Sequence, residues 1–383
     1  MHTQLVIIQP TSLCNINCRY CYLPNRAVKK RISPETLEQL FKVLFASPFL
    51  AENILFAWHA GEPLVLPIDF YELAFQLQER WNLKQVHITN AFQTNATLIT
   101  QKWCKFFQKH NIKVGVSLDG PQQIHDTNRQ DRAGKGTFER AMRGVALLRA
   151  NNIAYSIISV ITSASLHQPD QFWQFFSEQQ PVRLGLNPEE TEGTNISASF
   201  GTDADVQDYK HFLRRLLLLN EEHQDPLPLR EFEHVMNLID TPEHMRYTSI
   251  NSPMGIISFD CDGNFSTFAP ELLTVSHPEY GDFHFGNIFE NSLEDIYTNP
   301  KFLRIQEEIQ QGINKCEQTC SYFGVCGGGS PSNKLHENGT FNSTETFACR
   351  LHIQAPTDVL LEHLETKYYL SPTISSDSEL TLT

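Results

Sequence analysis

Three cysteines stand within eight residues near the start of the chain, Cys14-Asn15-Ile16-Asn17-Cys18-Arg19-Tyr20-Cys21. Thiolates are the usual ligands of iron–sulfur clusters, and a cubane needs four of them. Three can therefore hold a cluster while leaving one iron open to another ligand, and an open iron implies chemistry. Zinc is the alternative occupant, but it asks for a fourth Cys or His at short spacing, and the only histidine nearby is His2. The cysteines directly follow the apolar run Leu5-Val6-Ile7-Ile8, which reads as a strand.

Beyond the cysteines, short apolar runs alternate with longer amphipathic ones as far as Asn187, the pattern of βα units around a parallel sheet. Six strands are expected, at Leu5 to Gln9, Ile54 to His59, Val86 to Thr89, Val114 to Leu118, Tyr155 to Ile161 and Val182 to Leu186. Ser33-Pro34-Glu35 reads as a capped helix start, and Thr100 and Thr137 as further caps. Six units suit a partial (β/α)6 TIM-like barrel, whose function belongs at the C-terminal ends of its strands. The second strand is followed by Trp58-His59-Ala60-Gly61-Glu62-Pro63, where Gly61 permits close backbone approach and Glu62 can accept from an ammonium group. An ordinary βα turn is the other reading. The third strand leads into Gln93-Thr94-Asn95, and the fourth into Ser117-Leu118-Asp119-Gly120-Pro121, then His125-Asp126-Thr127-Asn128-Arg129.

These motifs resemble the radical S-adenosylmethionine (SAM) enzymes: CxxxCxxC with the aromatic Tyr20 before its third Cys, and Ala60-Gly61-Glu62-Pro63 in the place of a Gly-Gly-Glu-Pro motif. The resemblance implies a [4Fe-4S] cluster on Cys14, Cys18 and Cys21. Its open iron would bind the amino and carboxylate groups of SAM, whose reductive cleavage gives a 5′-deoxyadenosyl radical that abstracts hydrogen. It also implies that Ser117 and Arg129, twelve residues apart, contact the SAM carboxylate, with Tyr20, Gly61, Glu62, Asn95 and Asp119 as further cofactor-binding residues. An arginine suits that task because its fork binds a carboxylate bidentately.

Composition bounds the rest. A chain of 383 residues, 40% hydrophobic and 19% charged, can bury a sizeable core. No apolar run approaches 18 residues and no signal peptide precedes the first strand, so a cytoplasmic protein without a membrane span is expected. Nine cysteines at metal-ligand spacings argue for reduced thiols rather than disulfides. A formal charge of −14, with no basic stripe beyond Lys29-Lys30-Arg31, argues against nucleic acid.

The expected organisation is a barrel over 1–187, a linker and bridging helices over 188–253, a cysteine-rich α+β domain over 254–355, and a C-terminal helix and polar tail over 356–383. Pro188 to Asp205, rich in Glu, Thr, Asn, Ser and Gly, reads as a loop or linker, with helices to follow over Val206 to Glu222 and Leu229 to Ile239. From Met254 short strands flank the Asp262-Gly263 turn, a helix runs from Leu293 into Gln311, and Cys316-x3-Cys320-x5-Cys326-Gly327-Gly328-Gly329 precedes Cys349. This order resembles the SPASM domain, the auxiliary-cluster extension of peptide-modifying radical SAM enzymes. Phe268 and Ser330 stand where two ligands of its first auxiliary cluster would be, whereas Cys316, Cys320, Cys326 and Cys349 account for the other cluster. One complete auxiliary [4Fe-4S] cluster is implied, with a four-cysteine zinc ribbon as the rival. Cys104 and Cys261 remain as structural thiols, although Cys261, beside the Asp-Gly turn, could serve a partial cluster.

Within the SPASM group, the stretches from Asp262 to Leu273 and from Tyr322 to Lys334 resemble the cyclophane-forming maturases, in particular their glycine-rich-repeat (GrrM/OscB-like) group. The resemblance implies a ribosomal precursor peptide, glycine-rich, as partner, and an external electron donor such as flavodoxin or ferredoxin. It implies abstraction of a side-chain β-hydrogen and a carbon–carbon bond to an aromatic ring. Such a bond releases two hydrogens, one to the deoxyadenosyl radical and one as a proton plus an electron. Glu271 and Asp282 are the candidate bases, and the auxiliary cluster the electron acceptor. Thioether formation, formylglycine-type oxidation and a non-catalytic electron carrier are the alternatives. Seven cysteines divided as three plus four predict two cubanes, about eight irons, after anaerobic reconstitution, and about four once Cys14, Cys18 and Cys21 are alanine. Elemental analysis checks this, and about twelve irons would mean a third cluster involving Cys261.

Overall fold

The computed structural model describes residues 2–239 and 247–370, so the polar tail expected beyond the last helix lies outside the described residues. Six parallel strands follow one another across one sheet: β1 Thr3–Ile8, β2 Leu50–Trp58, β3 His87–Thr94, β4 Lys113–Ser117, β5 Tyr155–Ile161 and β6 Arg183–Pro188. The α/β partial barrel is therefore present. Along β5 buried and half-buried residues alternate strictly, as a strand between a packed interior and covering helices requires. The first helix, Pro34–Ala46, starts where Ser33 Oγ accepts from Thr36 N at 2.9 Å, and it buries Leu37, Leu40, Phe41, Leu44 and Phe45 at helical spacing. Thr100 caps its helix in the same way. Thr137 does not: its hydroxyl donates instead to the Arg129 carbonyl at 2.8 Å. Between sheet and helices Tyr71 is the aromatic hub, edge-on to Trp58 at 5.2 Å and to Phe92 at 4.7 Å, a geometry that adds about 0.5–1.5 kcal/mol per pair beyond burial.

The hairpin expected around Asp262-Gly263 forms from β7 Ile256–Phe259 and β8 Asn264–Thr267, with β9 Gly286–Asn287 on its outer side. It continues the barrel sheet. β7 lies parallel to β1, from Leu5 opposite Ile256 to Ile8 opposite Phe259, so nine strands run β9-β8-β7-β1-β2-β3-β4-β5-β6. The change of texture at Met254 thus marks a new style of connection within the same sheet. The single helix expected from Leu293 is broken at Asn299-Pro300 into a 3₁₀ segment, Leu293–Thr298, and an α-helix, Pro300–Thr319. Pro300 disfavours helical backbone in the residue before it, and the Asn299 side chain caps the α-helix by accepting from Lys301 N and Phe302 N. The bridging helices are Asp203–Glu222 and Arg230–Ile239, the former starting early because Thr202 and Asp205 form a capping box. Among the described residues no helix is long and apolar enough to cross a membrane.

Two expected structural thiols are buried. Cys104 is fully enclosed in the aromatic core, and Cys261, 8% exposed, donates to the Gln9 carbonyl at 3.3 Å. Phe268 is also fully buried, its ring stacked on Phe302 at 5.8 Å and its backbone held at φ +70°. A side chain in that left-handed conformation is strained, and the ring's burial offsets the strain. Phe268→Ala keeps the strain and loses the ring, so chemical denaturation of the variant is expected to show a loss of about 3–5 kcal/mol.

Candidate active site

The cysteine loop leaves β1 and is tied back to the barrel at a second point. Ile16–Cys18 pairs antiparallel with Arg129–Asp131, Cys18 opposite Arg129, which brings two motifs 111 residues apart into register. Arg129 Nη1 lies 3.9 Å from Cys18 Sγ, and its guanidinium covers the Tyr20 ring at 5.5 Å. Asp119 anchors both: Oδ1 accepts from Arg129 Nε at 3.0 Å and from Val160 N at 3.1 Å, while Oδ2 accepts from the Tyr20 hydroxyl at 2.5 Å. Asp119 is fully buried and does not line the cavity, which it meets only through Arg129 and Tyr20. His125 supports the arginine from beneath, with Nε2 3.0 Å from the Thr137 hydroxyl that bonds the Arg129 carbonyl, and burial lowers its pKa to about 4.

After β2, Ala60 and Gly61 both take left-handed backbone, φ +66° and +85°. A Cβ on Gly61 would stand 2.4 Å from the Thr11 carbonyl, so only glycine lets the cysteine loop lie against this turn. Glu62 is buried, and its carboxylate accepts from Leu64 N at 3.0 Å, Thr94 Oγ1 at 2.7 Å and Asn95 N at 2.8 Å. Burial nevertheless lifts its pKa to about 7. The residue thus knits the ends of β2 and β3 together. Asn95 Nδ2 in turn reaches Asn15 Oδ1 at 2.9 Å and Cys14 Sγ at 3.9 Å, and Ser117 accepts from Gln93 at 2.9 Å.

These strand ends surround a cavity of about 280 Å³ lined by the three cysteines, Tyr20, Gly61, Glu62, Asn95, Ser117 and Arg129, among others. Burial pushes the thiol of Cys14 up to about 11 and that of Cys18 to about 12, with the neighbouring thiols adding to both, while Arg129 pulls them down. Thiols so placed ionise when a cation binds, and Ile16 N already faces the Cys14 sulfur as a hydrogen-bond donor. This donor set fits an iron–sulfur cluster, which the three cysteines would hold in the cavity that Ser117 and Arg129 also line.

The opposite wall is built from residues that the sequence presents as a linker. The stretch between β6 and the helix at Asp203 follows β6 directly and folds over the cavity, placing Glu189, Glu190 and Glu192 there. Gly193 makes this possible at φ +54°, since a Cβ there would meet the Tyr22 carbonyl at 2.4 Å, and Thr194 Oγ1 donates to the Cys21 carbonyl at 2.8 Å. Against the cost of burial, His352, 2.7 Å away, holds Glu190 below the usual carboxylate range. Glu192, which contacts the Ser332 hydroxyl, is held well above that range by burial and by the charges of Glu271 and Glu190. The signal that could have found this wall is position, because these residues occupy the functional end of the sixth strand. His59 is a further residue that motif reading misses: it lines the cavity with Nδ1 free of any protein partner, and burial lowers its pKa to about 4.

The two candidate bases part company. Glu271 lines the cavity, its pKa lifted to about 7 by burial, with the charge of Glu190 adding to the rise. Asp282 lies elsewhere: 56% of its side chain is exposed and its carboxylate is engaged by Lys301 at 2.7 Å, which rules it out as a base in this cavity.

Beyond the cavity Cys316, Cys320 and Cys349 lie near enough to Cys326 to act on its thiol electrostatically. Burial pushes Cys326 up to about 11, with Cys349, Cys320 and Cys316 adding to the rise and a backbone hydrogen bond from Gly328 lowering it. Gly327, Gly328 and Gly329 all take left-handed backbone, at φ +60°, +105° and +75°, and this wraps the loop around the sulfurs. A Cβ on Gly329 would lie 3.4 Å from Cys349 Sγ. The four sulfurs with their backbone donor fit a fully ligated cubane.

A model of the radical SAM superfamily matches residues 8–175, the stretch that contains all the barrel motifs. An uncharacterized protein of Synechocystis sp. is 45% identical over 367 residues, covering 95% of this chain and 92% of its own length. The cysteine-type anaerobic sulfatase-maturating enzyme of Clostridium perfringens is 27% identical over 85% of this chain and 88% of its own. In architecture, native anSMEcpe with bound AdoMet and the Cp18Cys peptide superposes with a TM-score of 0.78 at 22% identity, over 96% of this chain and 99% of that one. The chain belongs to the radical SAM superfamily. It is a radical SAM enzyme, with S-adenosylmethionine and iron–sulfur clusters as its cofactors. Arg129→Ala is expected to weaken SAM binding by about 1.5–3 kcal/mol, the range of a charge-assisted hydrogen bond, as read by calorimetry on reconstituted protein. Unchanged affinity would remove Arg129 from the cofactor site.

Proposed function

We propose that this enzyme is a peptide maturase that joins a side-chain β-carbon of a ribosomal precursor peptide to a nearby aromatic ring, forming a cyclophane. When bound in the cavity, the three-thiolate cluster and SAM supply a carbon-centred radical that removes one hydrogen atom. The residues of the chain must do the rest. Attack of the substrate radical on the ring leaves one proton and one electron to be removed before aromaticity returns. Glu271 is placed for the proton: it lines the cavity and burial brings its pKa to about 7, the range in which a carboxylate works as a base at neutral pH. Cys316, Cys320, Cys326 and Cys349 would hold an auxiliary cluster, which would supply a one-electron acceptor that an external carrier reoxidises.

The observation that carries this reading over others is the inventory at the auxiliary end. What supports it is that Cys316, Cys320 and Cys349 lie near enough to Cys326 to act on its thiol, whereas Phe268, which stands where the resemblance would put a ligand of a second auxiliary cluster, is buried against the Phe302 ring. Oxidation of a Ser or Cys to formylglycine is the second reading, favoured by the sulfatase-maturating relatives, and it uses the same cavity and base. The two are separable. Co-expression with a glycine-rich precursor is expected to yield peptide lighter by two hydrogens per crosslink, resistant to fragmentation between the joined residues and inert to hydrazine reagents. A hydrazine-reactive aldehyde would instead establish formylglycine chemistry.

The role of Glu271 has its own test. The ionised form is the base, and its pKa is raised, so the competent form is lost as pH falls through about 7 and is fully present above it. Product formation under saturating SAM and reductant is expected to rise with pH around a midpoint near 7, and Glu271→Gln to abolish product while SAM is still cleaved. A pH profile flat through 7 would assign the proton to another acceptor.

A further inference from the structure

Lys334 is 3% exposed, in the helix Pro331–Asn338 that comes after the three-glycine turn. Burying an ammonium is costly unless an anion sits with it. Among the described residues no carboxylate forms an ion pair with it, and its one hydrogen-bond partner is Cys316 Sγ, 3.5 Å from Nζ. The neighbouring helix is cut back to admit it. A Cβ on Gly312 would come within 2.4 Å of the Phe341 carbonyl and 3.2 Å of Lys334 Nζ. Space, burial and the lack of any other anion all converge on the thiolate cage.

We propose that Lys334 is the built-in counter-charge of the auxiliary cluster, donating to the Cys316 thiolate and raising the cluster's reduction potential. The physical reason is electrostatic. A four-thiolate cubane becomes one charge more negative on reduction, and a fixed positive charge in a medium of low dielectric stabilises the reduced form more than the oxidised one. A cluster held by these cysteines would supply a one-electron acceptor for the substrate-derived ring radical, to be reoxidised by an external one-electron carrier, and Lys334 would shift its potential without transferring a proton. It is a positioning residue and touches neither SAM nor peptide. The inference rests on the proposed auxiliary cluster.

Its test uses the Cys14, Cys18 and Cys21 triple alanine variant, in which the auxiliary cluster is the sole chromophore. Redox titration followed by electron paramagnetic resonance compares Lys334, Lys334→Met, Lys334→Gln and Lys334→Arg in that background. Met and Gln are expected to lower the reduced-to-oxidised ratio at fixed potential about tenfold, equivalent to 59 mV for a one-electron couple, while Arg stays near the parent value. In the enzyme with all cysteines, the radical cluster's potential is expected to stay put. Met or Gln variants that hold about four irons at the parent potential would overturn the assignment. Loss of iron in Met and Gln with retention in Arg would support a charge requirement, whereas loss in all three would reduce Lys334 to packing. An iron-free triple variant with native Lys334 would refute the auxiliary cluster itself, a failure distinct from the others.

Discussion

A guanidinium and a carboxylate shut away from water hold the cofactor end of this protein together. Asp119 is fully buried and the Arg129 side chain is 8% exposed, and the pair is bonded further to Val160 N and the Tyr20 hydroxyl. A buried pair is not by itself a source of stability, because the desolvation of two charges opposes their attraction, yet breaking it costs about 3–5 kcal/mol. Its value lies in direction. Asp119 uses one oxygen to fix Nε and leaves the far side of the guanidinium turned to the cavity and to Cys18. The short ribbon that sets Cys18 opposite Arg129 carries the same constraint into the cysteine loop, so the cluster ligands and the anion-binding fork cannot drift apart.

Much of this was legible because the chemistry demands particular residue types. Thiolates at short spacing and a glycine that must approach backbone can be read without knowing the fold, the interval from Ser117 to Arg129 was legible only through the family resemblance, and the strand ends bring them all into one cavity. The sheet was legible too, since apolar runs of strand length alternate with capped helices. What escaped was the polar material whose composition is the same in a solvated linker and in a cavity wall. Glu190 and Glu192 look like linker residues until Gly193 allows the chain to press against Tyr22 and carry them inward. Asp282 failed for the complementary reason: a carboxylate near a hairpin has the right type, but only the fold shows that Lys301 and solvent claim it.

The cavity is electrostatically divided. Arg129 is the cation at the cysteine end, while Glu190, Glu192 and Glu271 crowd the other, close enough that burial and mutual repulsion spread their proton affinities apart. Against the cost of burial His352 holds Glu190 below the usual carboxylate range, burial and the neighbouring carboxylates hold Glu192 well above it, and burial lifts Glu271 to about 7.

The pairing of β7 with β1 bears on how the chain is made. β1 lies inside the sheet, yet one of its neighbours, Ile256–Phe259, comes about 250 residues later, so that edge of the first strand has no partner until nearly two-thirds of the polypeptide exists. Contacts so distant in sequence form slowly, and an unpaired apolar edge invites other chains. On the ribosome Val6 and Ile8 would wait beside the cysteine loop for the whole synthesis of the barrel, which makes this edge the natural point for a chaperone to hold and the weak point when expression outruns folding.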